Sequence, residues 1–111
     1  MAENKYITQT QENGSVLIAE EVLVNIISLA VADVEGAQLS GKPGKNWGKG
    51  IKLTIDEENR VEVKCYVNVC YNQPVVAVAA NVQDSVTSAL ESMAGVKVLG
   101  VNVSVVGVFR Q

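Results

Sequence analysis

The residues of this chain that could do chemistry are few, and most stand in one stretch. Gly36-Ala-Gln-Leu-Ser-Gly-Lys42 has the glycine and lysine spacing of a phosphate-cradling loop. In such a loop backbone N–H groups hold phosphate, the lysine reaches its far oxygens, and the next Ser or Thr binds the metal. Pro43 stands at that last position here. A helical pattern leads into the stretch and none follows it, which is the wrong context. The whole segment from Gly36 to Gly50 holds five glycines, three lysines and the single tryptophan. It reads first as a connector and second as a binding loop, since long loops in small domains are often functional. Lys42, Lys45 and Lys49 beside Trp47 join cations to an aromatic, a combination that grips phosphate and stacks on bases.

Other candidates fall away on spacing. Asp56-Glu57-Glu58 could attract a cation, but neighbouring acidic residues do not share one face of a strand, and a charged hairpin tip is solvated. Cys65 and Cys70 lie five apart in one predicted strand, on opposite faces and roughly 16 Å apart. A disulfide needs Cα atoms within about 7 Å. Cys65, flanked by valines on its own face, reads as an inert core residue. The chain has no histidine. That removes histidine acid–base chemistry and weakens any zinc site. Tyr66, Asn68 and Tyr71 could line a small-molecule site, and otherwise form a polar sheet face. No catalytic residue, cofactor or metal site is expected.

The elements that would position these groups are organised around Pro74 to Val106. Pro74 suits a first helical turn and Asn72 a cap before it. Val75, Ala79, Val82, Val86, Leu90 and Met93 recur at helical spacing, and Gly95 suits a left-handed helix end. The strand that follows alternates through Val101, Val103 and Val105, with a bulge expected at Gly100, where the apolar parity set by Val96 and Val98 shifts. Upstream, residues 1–13 are polar and aperiodic and read as a flexible N-terminal tail. Ser15–Ile18 is a short strand candidate. Ala19-Glu-Glu-Val opens a helix with its acidic pair at the positive end. Val22, Ile26, Leu29 and Ala30 make its core stripe, widened by Leu23, Ile27 and Val31, so cover on more than one side is expected. Ile51–Ile55 and Arg60–Val69 alternate about a tight turn, with Ile51, Leu53, Ile55, Val61, Val63, Cys65, Val67 and Val69 facing inward.

The order is β-α-β-β-α-β. It predicts an α+β fold: a small, mainly antiparallel sheet with two helices on one face. At 111 residues, 48% of them hydrophobic and 19% charged, residues 14–111 make one domain with a sizeable core. The net charge of −3 opposes nucleic acid and anionic lipid. No apolar run nears the roughly 20 residues of a membrane span, and the first residues lack a signal-peptide core. The expected location is cytoplasmic.

Several stretches resemble the alkaline-shock protein, or envelope stress response, family, and in particular its short YloU-like members. They are Val16-Leu-Ile-Ala-Glu-Glu-Val22, Ala32-Asp-Val-Glu-Gly36, Lys49-Gly-Ile-Lys-Leu53 and Val61-Glu-Val-Lys-Cys-Tyr-Val-Asn-Val69. Val78-Ala-Ala-Asn-Val-Gln-Asp-Ser-Val86 matches best, followed by Ala89-Leu-Glu-Ser-Met-Ala-Gly95 and Val101-Asn-Val-Ser-Val105. The chain departs from the common pattern at Ala94, where threonine is frequent, and at Ser104, where histidine is. The resemblance implies a protein of Gram-positive-type bacteria linked to cell-envelope homeostasis, and a family without accepted catalytic residues. Some members reach the membrane through an anchor protein and self-assemble, which implies a place peripheral to the cytoplasmic membrane through a partner.

The functional expectation is a non-enzymatic interaction or scaffold protein. Val105-Val-Gly-Val-Phe109 is apolar on both faces, and such a strand at a sheet edge is a pairing surface. The candidate interaction surface is Val106, Val108 and Phe109 with Trp47, Lys45 and Lys49. Its partner would be a second copy or another protein through the C-terminal strand. The alternative is an RNA-binding small α/β domain that uses the lysine and tryptophan loop 41–50.

Overall fold

The computed structural model describes residues 6–40 and 50–110. In chain order the elements are β1 (Tyr6–Gln11), β2 (Gly14–Ala19), α1 (Glu20–Ala32), β3 (Ala37–Leu39), β4 (Ile51–Ile55), β5 (Arg60–Cys70), α2 (Val75–Ala89) and β6 (Lys97–Phe109). A single π-helical turn, Leu90–Ala94, extends α2. This is the expected α+β fold.

β5 is the centre of the sheet because every second residue is apolar. Val61, Val63, Cys65, Val67 and Val69 are buried and face the helices. Each such valine stabilises the fold by about 1.5–3 kcal/mol through burial. Both helices cover this one face. α1 packs against β3 and β4, α2 packs against β6, and the helices pack on each other. Ile51 is buried, with Leu53 and Ile55 packed beside the core, as the alternation predicts.

β3 and β4 both run antiparallel to β5 on the same side, β3 against Val67–Val69 and β4 against Val61–Cys65. Ser40 and Gly50 bridge them at Tyr66. The Ser40 N–H donates to the Tyr66 carbonyl and the Tyr66 N–H donates to the Gly50 carbonyl, each at 2.8 Å. Together they make one interrupted strand. The connector expected from Gly36 is therefore shorter, because Ala37–Leu39 already belongs to the ladder.

The flexible tail expected over residues 1–13 is corrected for Tyr6–Gln11, which is a strand paired with β2. Its one inward anchor, Ile7, is fully buried. Polar contacts add to it: the Gln9 amide donates to the carbonyls of Ala94 (3.1 Å) and Gly95 (3.3 Å), and the Asn59 amide donates to the Thr8 carbonyl (3.1 Å). β1 itself turns one apolar side chain to the core, beside Ile18 of β2, and that leaves no period to read in residues 6–11. The strand expected at Ser15–Ile18 exists, but it pairs with β1 and stands outside the main sheet.

Both helical stripes shift from expectation. In α1 the buried set is Leu23, Ile26, Ile27, Ala30 and Val31, while Val22 and Leu29 are exposed. The cover expected on more than one side is not present in the described residues. In α2 the buried set is Val78, Val82 and Val86, continued by Leu90 at the start of the π turn. The π turn then adds a residue to the helical repeat, so Ala94 is buried where Met93 was expected. Pro74 is the N-cap of α2, and Asn72 has φ +78°, a left-handed turn residue rather than a cap. Gly95 ends the helix in the left-handed region, as expected.

Candidate functional site: the free edge of the C-terminal strand

β6 lies parallel to β5 and pairs with it from Lys97 to Phe109. It has no strand on its other side among the described residues. Which backbone groups it presents there follows from the ladder. Tyr66 and Cys70 direct their N–H groups toward the β3–β4 side, to Gly50 and Gly36. Backbone polar groups alternate along a strand, so Val63, Cys65 and Val67 direct theirs toward β6. In a parallel pair those groups bond the residues flanking their register partners. The partners are Val101, Val103 and Val105. Val101, Val103 and Val105 therefore turn their own N–H and C=O away from β5. Two bonds agree with this. Gln83 on α2 donates its side-chain amide to the Val101 carbonyl at 3.0 Å, and the Phe109 carbonyl accepts from the Tyr71 N–H at 2.7 Å on the β5 side.

The edge is interrupted twice. The register slips between Val98 and Gly100 and again between Val105 and Gly107. The first slip is the bulge expected at Gly100. The second was legible too, because Val105-Val106 doubles the apolar residue and breaks alternation. The regular window between the bulges is Val101–Val105. No charged side chain occurs from Val98 to Phe109, although natural edge strands are usually blunted by charge.

Val108 is in register with Val69 and lies on the helix side, largely exposed at 64%. Phe109 is in register with Cys70 and lies on the opposite face, half-buried. Val106 is the extra residue of the second bulge and is exposed. The three are neighbours in sequence but do not form one face. Lys45, Trp47 and Lys49 lie outside the described residues. Sequence reasoning missed Gln83, whose reach to a backbone carbonyl carries no sequence signal.

The other groups are occupied or dispersed. Asp56 folds onto its own turn: its carboxylate accepts the N–H groups of Glu58 (2.9 Å) and Arg60 (2.8 Å) and the Arg60 Nε (2.8 Å). The Arg60 backbone N–H, above all, holds the Asp56 carboxyl below its usual range. No group of three or more potential metal ligands occurs among the described residues. The glycine and lysine spacing from Gly36 does not build a phosphate cradle, because Ala37–Leu39, which would have to be the loop, is a strand paired with β5, and a helix rather than a strand leads into Gly36. On the outer sheet face Lys52, Thr54, Glu62, Lys64 and Asn102 line a shallow depression of about 250 Å³. Tyr66, Asn68 and Tyr71 are not among its lining. The Arg110 guanidinium sits 4.4 Å from the Tyr71 ring instead. Cys65 is buried and its thiol is pushed up to about 11 by that burial.

Residues 8–110 match the model of the alkaline shock protein 23 family, described by its cell envelope-related function. The chain belongs to this family. The match begins inside β1, so the hairpin is part of the family's domain. An uncharacterized protein of Streptococcus pyogenes serotype M6 is 32% identical over 109 residues, covering 92% of this chain and 84% of the relative. No solved structure matches significantly. No helix among the described residues is long and apolar enough to cross a membrane.

Proposed function

We propose that this member of the alkaline shock protein family is a non-enzymatic interaction module. It serves cell-envelope homeostasis by binding protein, its own copies included, along the free edge of β6. One observation carries this reading: twelve residues of edge strand, Val98 to Phe109, without a charged side chain. Such an edge is a template for strand addition. The described residues offer no assembled set of acid, base and nucleophile to set against it. The reading places the protein in the cytoplasm, held at the membrane by a partner when it works there. The RNA-binding alternative rests on residues of the 41–49 segment, and the acidic balance opposes it.

Sedimentation across a wide concentration range tests the reading. Self-association that weakens at least tenfold in the exposed-residue variant Val106→Lys/Val108→Lys supports it. A strict monomer at the highest concentration, or an assembly indifferent to both lysines, overturns it.

A further inference from the structure

We propose that two copies of this chain join β6 to β6, antiparallel, about a two-fold axis at Ser104, in a register selected by Gln83. This rests on the reading of β6 as a self-association edge. Between the bulges the outward-pointing backbone groups belong to Val101, Val103 and Val105. Three symmetric registers make four or more backbone bonds with them. Two, centred on Asn102 and on Val103, require the Val101 carbonyl to accept an N–H of the second copy, from Val103 or from Val105. That carbonyl already accepts from Gln83 at 3.0 Å. The third centres on Ser104 and uses only Val103 and Val105 of each copy, for four backbone bonds. Gln83 therefore disfavours the first two and leaves the third.

The occupant is a second copy because of charge. Each chain carries a net charge of −3, yet β6 has no charge between Lys97 and Arg110. Laid against itself over the window, the strand brings no like charges together, and a charged foreign strand finds no complement there. The Ser104 register sets Val103 of each copy against Val105 of the other on the helix side, a favourable β-branched pairing. It covers Val105, now 36% exposed.

A crosslink reads the register. Ser104 and its counterpart would form a non-hydrogen-bonded antiparallel pair with Cα atoms about 4.5 Å apart, inside the disulfide range. In a Cys70→Ser background, which leaves only buried Cys65, Ser104→Cys should give mostly covalent dimer under mild oxidation. Asn102→Cys faces the same side but would stand roughly 14 Å from its counterpart, and should give several-fold less. Adding Gln83→Ala should lower the Ser104 crosslink several-fold. In that background, mixed Ser104→Cys and Asn102→Cys chains should crosslink to each other. On the unmodified chain, amide exchange at Val103 and Val105 should slow as concentration rises. An associating chain that shows neither the Ser104 crosslink nor this protection overturns the register and leaves self-association standing. A monomeric chain overturns both. A Ser104 crosslink unaffected by Gln83→Ala overturns the role of Gln83.

Discussion

A β-carbon placed on Gly50 would lie 2.3 Å from the carbonyl oxygen of Ser40. The two residues abut because both hold Tyr66, one through its carbonyl and one through its N–H. Ser40 and Gly50 therefore meet at a single residue of β5.

Gly50 has φ +75°, a region side chains rarely adopt. Gly50→Ala combines that strain with a backbone clash, and should destabilise the chain by about 2–3 kcal/mol. Gly107 offers the contrast. Its β-carbon would meet only the tip of the Asn68 side chain, at 2.6 Å, and that tip can swing away. Gly107→Ala should cost below about 1 kcal/mol. Urea unfolding of the two variants checks the order. Equal losses would show that Ser40 and Gly50 are not held together in solution.

The β1–β2 hairpin should be docked by two residues of unequal weight. Ile7→Ala empties a fully buried site and should cost about 2–4 kcal/mol. Gln9→Ala removes two hydrogen bonds to the end of the π turn and should cost about 1–2 kcal/mol. Native-state hydrogen exchange distinguishes them. Gln9→Ala should speed exchange in β1 and β2 while leaving β5 protected, because the hairpin is a sheet of its own. Uniform acceleration would mean that the hairpin and the main sheet open as one unit.

What the sequence made legible follows from side-chain period. β5 alternates without exception, and its five inward residues are all buried. α1 is apolar nearly all round, so Val22 and Leu29 fit a helical stripe as well as Leu23 and Ile27 do. Only tertiary packing chooses between the stripes, and it chose the second. Met93 was lost to the π turn, a local widening that no residue type in Leu90–Ala94 announces. β1 stayed hidden because its support is backbone pairing, a glutamine amide and a single inward apolar residue, Ile7. The candidate edge was legible in part. Its lack of charge and its first bulge lie in the sequence, while the side on which Val103 and Val105 present their backbone depends on the parallel pairing with β5.

Cys65 makes stability depend on alkaline pH. Its thiol is pushed from 9.0 up to about 11 by burial, which disfavours the thiolate inside the fold. The folded state therefore holds this proton over a range where the unfolded chain has released it. The folded pKa is the raised one, so the contribution is complete below about pH 9 and is lost as pH climbs toward 11. Integrated over that window the loss is about 2–3 kcal/mol, at roughly 1.4 kcal/mol per pH unit. Cys65→Val keeps an apolar side chain of similar size in a row of valines and removes the proton. Other groups ionise in the same range, so the informative quantity is the difference between the two chains. Wild type should lose more stability than Cys65→Val between pH 9 and 11 by denaturant unfolding. Parallel profiles would show that the Cys65 thiol is reached by water in the folded chain.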